Sequence, residues 1–263
     1  MTSRLPACCL CLALRAPVDA LRNPLEPSAP GDGKRCSVPP GSKLYSQSNE
    51  DRALYERYFC NVRNGTYVEI GALDGVMFSN SKFFEDTLGW SGVLIEGNPA
   101  VSGRLRATRG RGRNIIFSPR AVCQKEQFTV PYIVSGRFLH TSAGDATVLP
   151  RELRGTGTNT VDVPCAPISS MLSQANVTKV DLFSLDVEGA ELKVLETFDF
   201  NTVQVKLILV ETDGYNPEKD AAVRRLLRAK GFHQPWDGWK ITEECSPRRA
   251  CAHNEVWLGA ELD

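Results

Sequence analysis

Apolar residues occur along this chain in two patterns, short continuous runs and longer stretches in which they recur every three or four positions. Continuous apolar runs predict buried strands at 67–70, 93–96, 180–185 and 206–210, and a further strand is predicted at 114–117. Helical spacing predicts helices at 48–60, 82–88, 190–198 and 216–230, with a further helix beginning at Asn98. Strands that alternate with helices predict a doubly wound α/β sheet, which binds ligands at the carboxyl ends of its strands.

Later segments predict antiparallel pairs. Residues 128–134 and 159–163 alternate like a hairpin, and a Gly- and Thr-rich loop at 135–158 separates them. Segments around 239–241 and 255–258 read as closing strands. The expected fold is therefore a Rossmann-like α/β sheet with a C-terminal antiparallel hairpin.

The turn after the first predicted strand has an unusual composition. It contains Gly71 and Gly75, which let the backbone approach a ligand closely, and Asp74 between them. A dinucleotide site would instead show G-x-G-x-x-G around a pyrophosphate, which a carboxylate would repel. The turn suits a nucleoside ligand with an ammonium group and no phosphate, such as S-adenosylmethionine. An ordinary structural strand–turn–helix is the alternative.

Acidic residues follow two other predicted strands. Glu96 ends the second strand, where a ribose would lie, and Asn98 with Pro99 predicts the cap and first turn of the next helix. Asp186 and Glu188 follow an otherwise apolar strand, where charge has no packing role. A helix cap is the alternative explanation for Asp186. Together the three strand ends predict one polar crevice.

The combined motifs resemble those of the FkbM-type methyltransferases, over roughly residues 45–211. The resemblance rests on five ordered motifs: Tyr45-Ser46-Gln47 with Glu50-Asp51, residues 68–75, Ser79-Asn80, residues 94–99 and residues 184–191. It implies a class I S-adenosylmethionine-dependent methyltransferase fold. For this family it also implies O-methylation of hydroxyls on sugars or secondary metabolites.

The resemblance implies roles for the residues of the first turn. The loop around the amino acid part of the cofactor would consist of Glu69, Gly71, Ala72, Asp74 and Gly75. Neither Tyr45-Ser46-Gln47 nor Ser79-Asn80 has a role that follows from its residues.

The resemblance also implies roles at the later strand ends. Glu96 would hold the ribose hydroxyls, next to Asn98, and Ala121-Val122 would lie near the adenine. Asp186 and Glu188 would face the sulfonium and the acceptor hydroxyl. Because a hydroxyl is a poor nucleophile until its proton leaves, Asp186 is the first candidate for a catalytic base and Glu188 the second.

A metal is a further hypothesis for this edge of the sheet. Asp186, Glu211 and Asp213 end adjacent predicted strands and would offer oxygen ligands of the kind that Mg²⁺ prefers. Caps of the following turns are the alternative. His140, in the loop at 135–158, is either a base that closes over the substrate or a solvated side chain.

The first residues differ from the rest. Residues 1–20 resemble a short secretory signal, with an organelle transit peptide as the rival, and their apolar run is too short to span a membrane. Residues 21–44 read as a Pro-rich linker and residues 45–263 as the domain. This predicts a secretory-pathway protein, either luminal or secreted; other organelles or the cytoplasm are the alternatives. No pattern indicates an oligomeric state.

Cysteines and charge give weaker signals. Six cysteines lie outside the leader and could form disulfides or remain free thiols: Cys36, Cys60, Cys123, Cys165, Cys245 and Cys251. Asn64-Gly65-Thr66 and Asn176-Val177-Thr178 are N-glycosylation triplets. The net charge is zero, and the arginine cluster at 104–113 reads as a solvated loop, so no nucleic-acid partner is expected.

Three functions follow from these patterns. The first is an S-adenosylmethionine-dependent methyltransferase acting on a hydroxyl of a glycan or small molecule. The second is a non-catalytic binding or trafficking module similar to the Star-like animal proteins. The third, an NAD-type oxidoreductase, is disfavoured because G-x-G-x-x-G is missing. No motif identifies the acceptor.

Overall fold

A computed structural model provides the fold and describes residues 36–126, 129–134, 144–148, 159–212, 214, 216–236, 241–242 and 253–260. The helices are α1 (Glu50–Arg57), α2 (Lys82–Leu88), α3 (Ser102–Arg109), α4 (Ile168–Gln174), α5 (Glu191–Glu196) and α6 (Pro217–Ala229). The strands are β1 (Thr66–Ile70), β2 (Ser91–Ile95), β3 (Ile115–Phe117), β4 (Ala121–Val122), β5 (Thr129–Val134), β6 (Gly144–Asp145), β7 (Asn159–Ala166), β8 (Lys179–Leu185), β9 (Gln204–Thr212), β10 (Ile241–Thr242) and β11 (His253–Leu258).

The main sheet has the order β10-β11-β9-β8-β1-β2-β3. The strands from β9 to β3 run parallel, so their carboxyl ends meet at one edge. At the other side β11 pairs antiparallel with β9, and β10 pairs antiparallel with β11. This arrangement confirms the predicted doubly wound sheet with a C-terminal antiparallel hairpin.

A smaller sheet, with the order β4-β7-β5-β6, follows β3 in the chain. Its strands β5 and β7 form the antiparallel pair predicted for 128–134 and 159–163. The two-residue strands β4 and β6 were not predicted, because segments so short carry no periodicity. A disulfide between Cys123 and Cys165 joins the segments that contain β4 and β7.

Alternate residues of the central strands face two apolar layers, as the two-residue period of a strand requires. Val68, Phe183 and Leu185 face a layer that includes residues of α4, α5 and α6. Tyr67 and Leu182 face the other layer, with residues of α1, α2 and α3. Glu69 and Ser184 alternate with apolar neighbours in the same strands, so they lie on the α1 and α2 side of the sheet.

Two predicted helix starts were wrong. Helix α1 begins at Glu50 rather than after a Ser48 cap, because Asn49 takes a left-handed backbone conformation with φ of 61°. Helix α3 begins at Ser102 rather than at Pro99, because Asn98 Oδ1 accepts a hydrogen bond from the N–H of Ala100 and forms a local turn. The start of α6 was predicted correctly: Asn216 Oδ1 accepts from the N–H of Lys219 at 3.0 Å.

Two disulfides lie within the described residues, Cys36–Cys60 and Cys123–Cys165. Cys245 and Cys251 lie outside those residues, as does the predicted leader at 1–20. The end of the predicted linker packs on the core through Val38 and Leu44, and one compact unit extends from Gly33 to Asp263. In the described part of the chain, no helix is long and apolar enough to cross a membrane.

Candidate active site

The turn after β1 contacts the ends of two neighbouring strands. Gly71 has a φ of +87°, and a Cβ on it would lie only 1.8 Å from the carbonyl oxygen of Asp186. The N–H groups of Gly71 and Ala72 both donate to the carbonyl of Ile95, at 3.0 and 3.2 Å. The strand ends that the sequence predicted as one crevice therefore do meet.

Glu96 lies at the end of β2 with only 3% of its surface exposed. Its carboxylate accepts hydrogen bonds from the N–H of Leu73 at 2.8 Å and of Asn98 at 2.6 Å. Burial raises the pKa of Glu96 to about 7, although these bonds oppose the shift. Its backbone carbonyl accepts from the N–H of Arg120, which places the adjacent Ala121-Val122 beside this strand end.

Asp186 and Glu211 form a hydrogen-bonded carboxyl pair at the ends of β8 and β9. Burial, followed by neighbouring carboxylates, raises the pKa of Asp186 to about 6, while the bond from Glu211 opposes that rise. Burial and the charge of Asp186 raise the pKa of Glu211 well above its ordinary value. Glu211 is therefore the proton donor of the pair, and Asp186 is its acceptor.

Glu191 accepts hydrogen bonds from the loop that follows Asp186. The Glu191 carboxylate accepts from the N–H of Gly189 at 2.9 Å and of Val187 at 3.3 Å, and it pairs with Lys219 Nζ at 2.6 Å. Glu188, at the top of this loop, has a left-handed φ of 54°. This loop fixes the direction in which the chain leaves Asp186.

Glu69 is committed to protein contacts. Its carboxylate accepts from Ser79 Oγ at 2.9 Å, the N–H of Asn80 at 2.7 Å and Ser81 Oγ at 2.6 Å, and Arg109 lies 3.9 Å away. These bonds give the Ser79-Asn80 motif a role, because they attach its segment to Glu69 of β1. The predicted contact of Glu69 with the cofactor stays a prediction.

Asp74 is also bonded within the protein. Its side chain accepts from the N–H groups of Val76 and Met77 and lies 3.5 Å from Arg104. A Cβ on Gly75 would lie 2.5 Å from a side-chain carbon of Arg109, so this glycine allows α3 to pack against the turn. These contacts shape the turn, and the predicted cofactor contacts of Asp74 and Gly75 also stay predictions.

Tyr132 enters the crevice from the smaller sheet, and the sequence did not predict it. A Cβ on Gly97 would lie 2.4 Å from the ring of Tyr132, so the ring covers the residue after Glu96. Burial raises the pKa of Tyr132 well above its ordinary value, and the charges of Glu96 and Glu188 add to the rise. The alternation of apolar and polar residues in β5 could have indicated which face of the strand carries Tyr132. It could not indicate that this face meets the crevice.

Two more polar residues, Glu50 and Asn80, belong to the motifs of the family resemblance. Glu50, 1% exposed on α1, accepts from Asn254 Nδ2 at 2.7 Å and from the N–H of Ser48. Asn80 donates through Nδ2 to Ser184 Oγ at 3.0 Å, while its Oδ1 is buried without a hydrogen-bond partner among the described residues. Both lie on the side of the sheet that carries Asp186.

The metal hypothesis concerns Asp186, Glu211 and Asp213. Asp213 lies outside the described residues, as does His140. Within the described ranges, no group of three or more His, Cys, Asp or Glu side chains is arranged to hold a metal ion. Asp186 and Glu211 instead bond to each other.

The strand order and the acidic strand ends define an α/β protein of the class I methyltransferase type. The family model of the Methyltransferase FkbM domain matches residues 69–233. The chain therefore belongs to the FkbM methyltransferase family, which confirms the resemblance in the sequence. Membership implies S-adenosylmethionine as the methyl donor.

Solved structures of methyltransferases align with this chain at low similarity. A TehB-like SAM-dependent methyltransferase from Corynebacterium glutamicum is 10% identical with a TM-score of 0.41, covering 83% of this chain and 90% of that one. Precorrin-6y C5,15-methyltransferase from Geobacter metallireducens is 8% identical with a TM-score of 0.37, covering 75% and 81%. No curated protein sequence matches the chain significantly.

The residues of the crevice fit this methyl donor. Glu96 is a buried carboxylate at a strand end, and a carboxylate in this place can accept hydrogen bonds from ribose hydroxyls. Asn80 Oδ1 is an acceptor without a donor among the described residues. Asp186, the acceptor of the pair, adds negative charge, which suits a ligand with positive sulfonium and ammonium groups.

Proposed function

We propose that this protein transfers a methyl group from S-adenosylmethionine to a hydroxyl of a glycan or small molecule. The observation that carries the proposal is the hydrogen-bonded pair of Asp186 and Glu211 at the crevice. A pKa of about 6 makes Asp186 a stronger base than an ordinary aspartate while leaving it ionised at pH 7.5. Sequence and family membership support the donor, and the pair supports a base.

Each group has a defined part in the proposed reaction. When bound, the donor supplies an electrophilic methyl group on a positive sulfur. Asp186 accepts the proton of the acceptor hydroxyl, and the proton of Glu211 stabilises the carboxylate of Asp186 before that transfer. Glu96 holds the ribose hydroxyls through charge-assisted hydrogen bonds.

Orientation supplies a second part of the rate. Holding two reactants in the right geometry contributes on the order of 7–11 kcal/mol in favourable cases. Glu191 contributes by bonding to the loop after Asp186, and Gly71 contributes by letting that loop contact the turn after β1. Glu188 lies in the same loop and is the second candidate for the base.

Transfer of isotope from labelled S-adenosylmethionine to glycan and metabolite extracts tests the proposal. We expect label in the wild type and in Glu196→Gln, which removes an exposed carboxylate of α5. We expect a loss of at least about a hundredfold in Asp186→Asn, because general bases contribute roughly 10²–10⁴-fold. Affinity for S-adenosylhomocysteine, measured by calorimetry, should change little in Asp186→Asn.

The same measurements separate the rival functions. Binding of S-adenosylhomocysteine without transfer to any extract would support a Star-like binding module. Tight binding of NAD would support an oxidoreductase. Full turnover by Asp186→Asn would remove Asp186 as the base and leave Glu188 as the candidate.

We infer that the chain matures in the secretory pathway. The disulfides Cys36–Cys60 and Cys123–Cys165 support an oxidising compartment. Asn64 and Asn176 support it as well, because both are exposed and directly precede β1 and β8. They lie at the amino ends of these strands, at the edge opposite the crevice, where an attached glycan would not obstruct the site.

Glycan removal tests this compartment. In secreting cells we expect the mass of the full chain to fall after treatment with an amidase that removes N-linked glycans. Asn64→Gln and Asn176→Gln should each remove one glycan, whereas Asn61→Gln, an exposed asparagine outside any triplet, should remove none. Retention of the full chain in the cytosol with free cysteines would contradict the inference.

A further inference from the structure

Several buried carboxylates of this protein have a cationic partner. Glu69 lies 3.9 Å from Arg109, Glu191 lies 2.6 Å from Lys219, and Glu255 lies 2.7 Å from Arg224. In contrast, the carboxyl groups around the crevice have no Lys or Arg partner among the described residues. This second group consists of Glu50, Glu96, Asp186 and Glu211.

Glu50 joins this group although it lies outside the segment matched to the family, 69–233. Its Oε1 accepts from Asn254, which pairs directly with Glu211 across β11 and β9. Side chains of directly paired residues lie on the same face of a sheet. Glu50 therefore lies on the face that carries the pair of Asp186 and Glu211, and its charge contributes to the raised pKa of Asp186.

Asn80 supplies an independent sign that this place lacks a donor. The residue is 7% exposed, its Nδ2 bonds to Ser184, and its Oδ1 has no partner among the described residues. Ser184 precedes Asp186 by two residues in the strand direction, so both point to the same side of the sheet. A buried acceptor without a hydrogen-bond donor, next to carboxylates without a cationic partner, costs free energy until a ligand supplies the donor.

We propose that this crevice selects the cationic methyl donor over its neutral product, and that Glu50 is a specificity-determining residue for this selection. The inference rests on the proposed function, since it concerns the same donor site. S-adenosylmethionine and S-adenosylhomocysteine differ by one methyl group and the positive charge on sulfur. Carboxylates without a cationic partner, in a partly buried site, attract the positive sulfur of S-adenosylmethionine. The uncharged sulfur of S-adenosylhomocysteine lacks this attraction. Selection of this kind favours release of the product after each turnover.

Competitive calorimetry of the two ligands on the full chain at pH 8 tests the proposal. For the wild type we expect S-adenosylmethionine to bind about tenfold more tightly than S-adenosylhomocysteine, an effect typical of one charge pair at a partly buried site. Glu50→Gln should reduce this ratio about threefold or more. Glu56→Gln, which removes an exposed carboxylate of the same helix, should leave the ratio unchanged.

A second ligand separates charge from size. Sinefungin has an amine-bearing carbon in place of the methylated sulfur, so it keeps a positive charge there without the sulfonium. We expect it to bind like S-adenosylmethionine. Binding like the neutral product would overturn the electrostatic explanation.

A pH series keeps the proposal falsifiable even if Glu50→Gln folds poorly. Asp186 and Glu96, with pKa values of about 6 and about 7, lose their negative charge as the pH falls from 8 to 5.5. Ionisable groups near Asp186 and its partner Glu211 include Glu50, Glu69, Glu96, Glu188, Glu191 and Tyr132, and Lys219 is the cation bound to Glu191. The preference for the cationic ligand should therefore shrink toward pH 5.5.

The outcomes distinguish this inference from the proposed function. Because the ratio of two dissociation constants does not depend on the fraction of folded protein, partial misfolding of Glu50→Gln does not change it. Equal binding of both ligands by the wild type, or a ratio independent of pH, would overturn the selection. An unchanged ratio in Glu50→Gln would overturn the role of Glu50. Failure of the wild type to bind either ligand would contradict the proposed function itself.

Discussion

Gly97 and Tyr132 are in contact, and the Cβ that Gly97 lacks leaves room for the tyrosine ring. The ring reaches Gly97 from β5 of the smaller sheet, and a Cβ on Gly97 would lie 2.4 Å from a ring carbon and 2.9 Å from the hydroxyl oxygen. The backbone of Gly97 does not require a glycine, since its φ is not positive. Space for Tyr132 is therefore the reason for the glycine.

Gly97→Ala should displace Tyr132 from the residue that follows Glu96. We expect affinity for S-adenosylhomocysteine to fall by about tenfold, because overpacking typically costs about 1–3 kcal/mol. Calorimetry measures this change. Gly103→Ala is the control, since a Cβ there meets nothing within 4 Å; unchanged affinity in Gly97→Ala would show that Tyr132 does not shape the site.

Asp186, the proposed catalytic base, carries a raised pKa that reduces the stability of the fold. Its pKa is about 6 in the folded protein and about 3.9 in an unfolded chain, so the folded state binds more protons between these values. Stability therefore falls as the pH rises from about 4 to about 6. At pH 8 this cost is present in full, and at low pH it disappears.

Asp186→Asn should consequently stabilise the ligand-free protein at pH 8. We expect a gain of about 1–3 kcal/mol in the free energy of unfolding, from a shift of about two pKa units shared with Glu211. Urea unfolding at pH 8 and pH 5 measures the gain, which should shrink at pH 5. Glu196→Gln should show no such pH dependence, and a loss of stability in Asp186→Asn at pH 8 would contradict the assignment.

The sequence could predict those site residues whose charged side chains do not suit the apolar strands that they follow. Asp186 and Glu96 follow apolar strands, and a charge in that place already suggests a crevice. Tyr132, Glu50 and Asn80 could not be predicted in this way. A tyrosine in a strand and a glutamate in the first turn of a helix are ordinary, and only the tertiary fold brings them to Asp186.

At the scale of elements, α6 holds the loop between β8 and α5 through one buried ion pair. Lys219 of α6 donates to Glu191, whose other oxygen holds the N–H groups of Val187 and Gly189. Glu191 is fully buried and Lys219 is 8% exposed. Breaking such a pair leaves one buried charge without compensation.

Lys219→Met should lower the free energy of unfolding by about 3–5 kcal/mol. Glu191→Gln combined with Lys219→Met should recover part of this loss, because glutamine keeps an acceptor for the loop without the charge. Urea unfolding of the wild type, Lys219→Met, Glu191→Gln and the double variant gives the coupling energy between the two residues. Lys179→Met, which removes an exposed lysine at the start of β8, should change stability little. An equal loss of stability in Lys179→Met would show that the effect comes from the net charge and not from the ion pair.

Element prediction succeeded where periodicity was long and failed where local geometry decided. Helix α2 follows from helical spacing and the parallel strands from short apolar segments, whereas α4 was not predicted because serines interrupt Ile168–Gln174. Asn98 shows the second kind of failure. Its side chain can cap a helix or close a local turn, and the sequence of the segment allows both.

At the scale of the molecule, the family match leaves out elements that complete the fold. Residues 69–233 exclude α1, β10, β11 and the first three residues of β1. Helix α1 buries Leu54 and Tyr55 in one apolar layer, and β11 pairs with β9 over its length and buries Trp257 in the other. Without β11 the edge of β9 would be open, which promotes aggregation.

The fragment 69–233 should therefore fail to fold, whereas the fragment 33–263 should unfold cooperatively. The second fragment keeps the disulfide Cys36–Cys60 and both apolar layers, and it coincides with the compact unit of the structure. Circular dichroism during heating and limited proteolysis measure the difference. Since Glu50 and Asn254 are also absent from 69–233, a folded short fragment would offer a further test. It should bind S-adenosylmethionine and its neutral product with more similar affinity than fragment 33–263, and a retained preference would show that the carboxylates within 69–233 suffice.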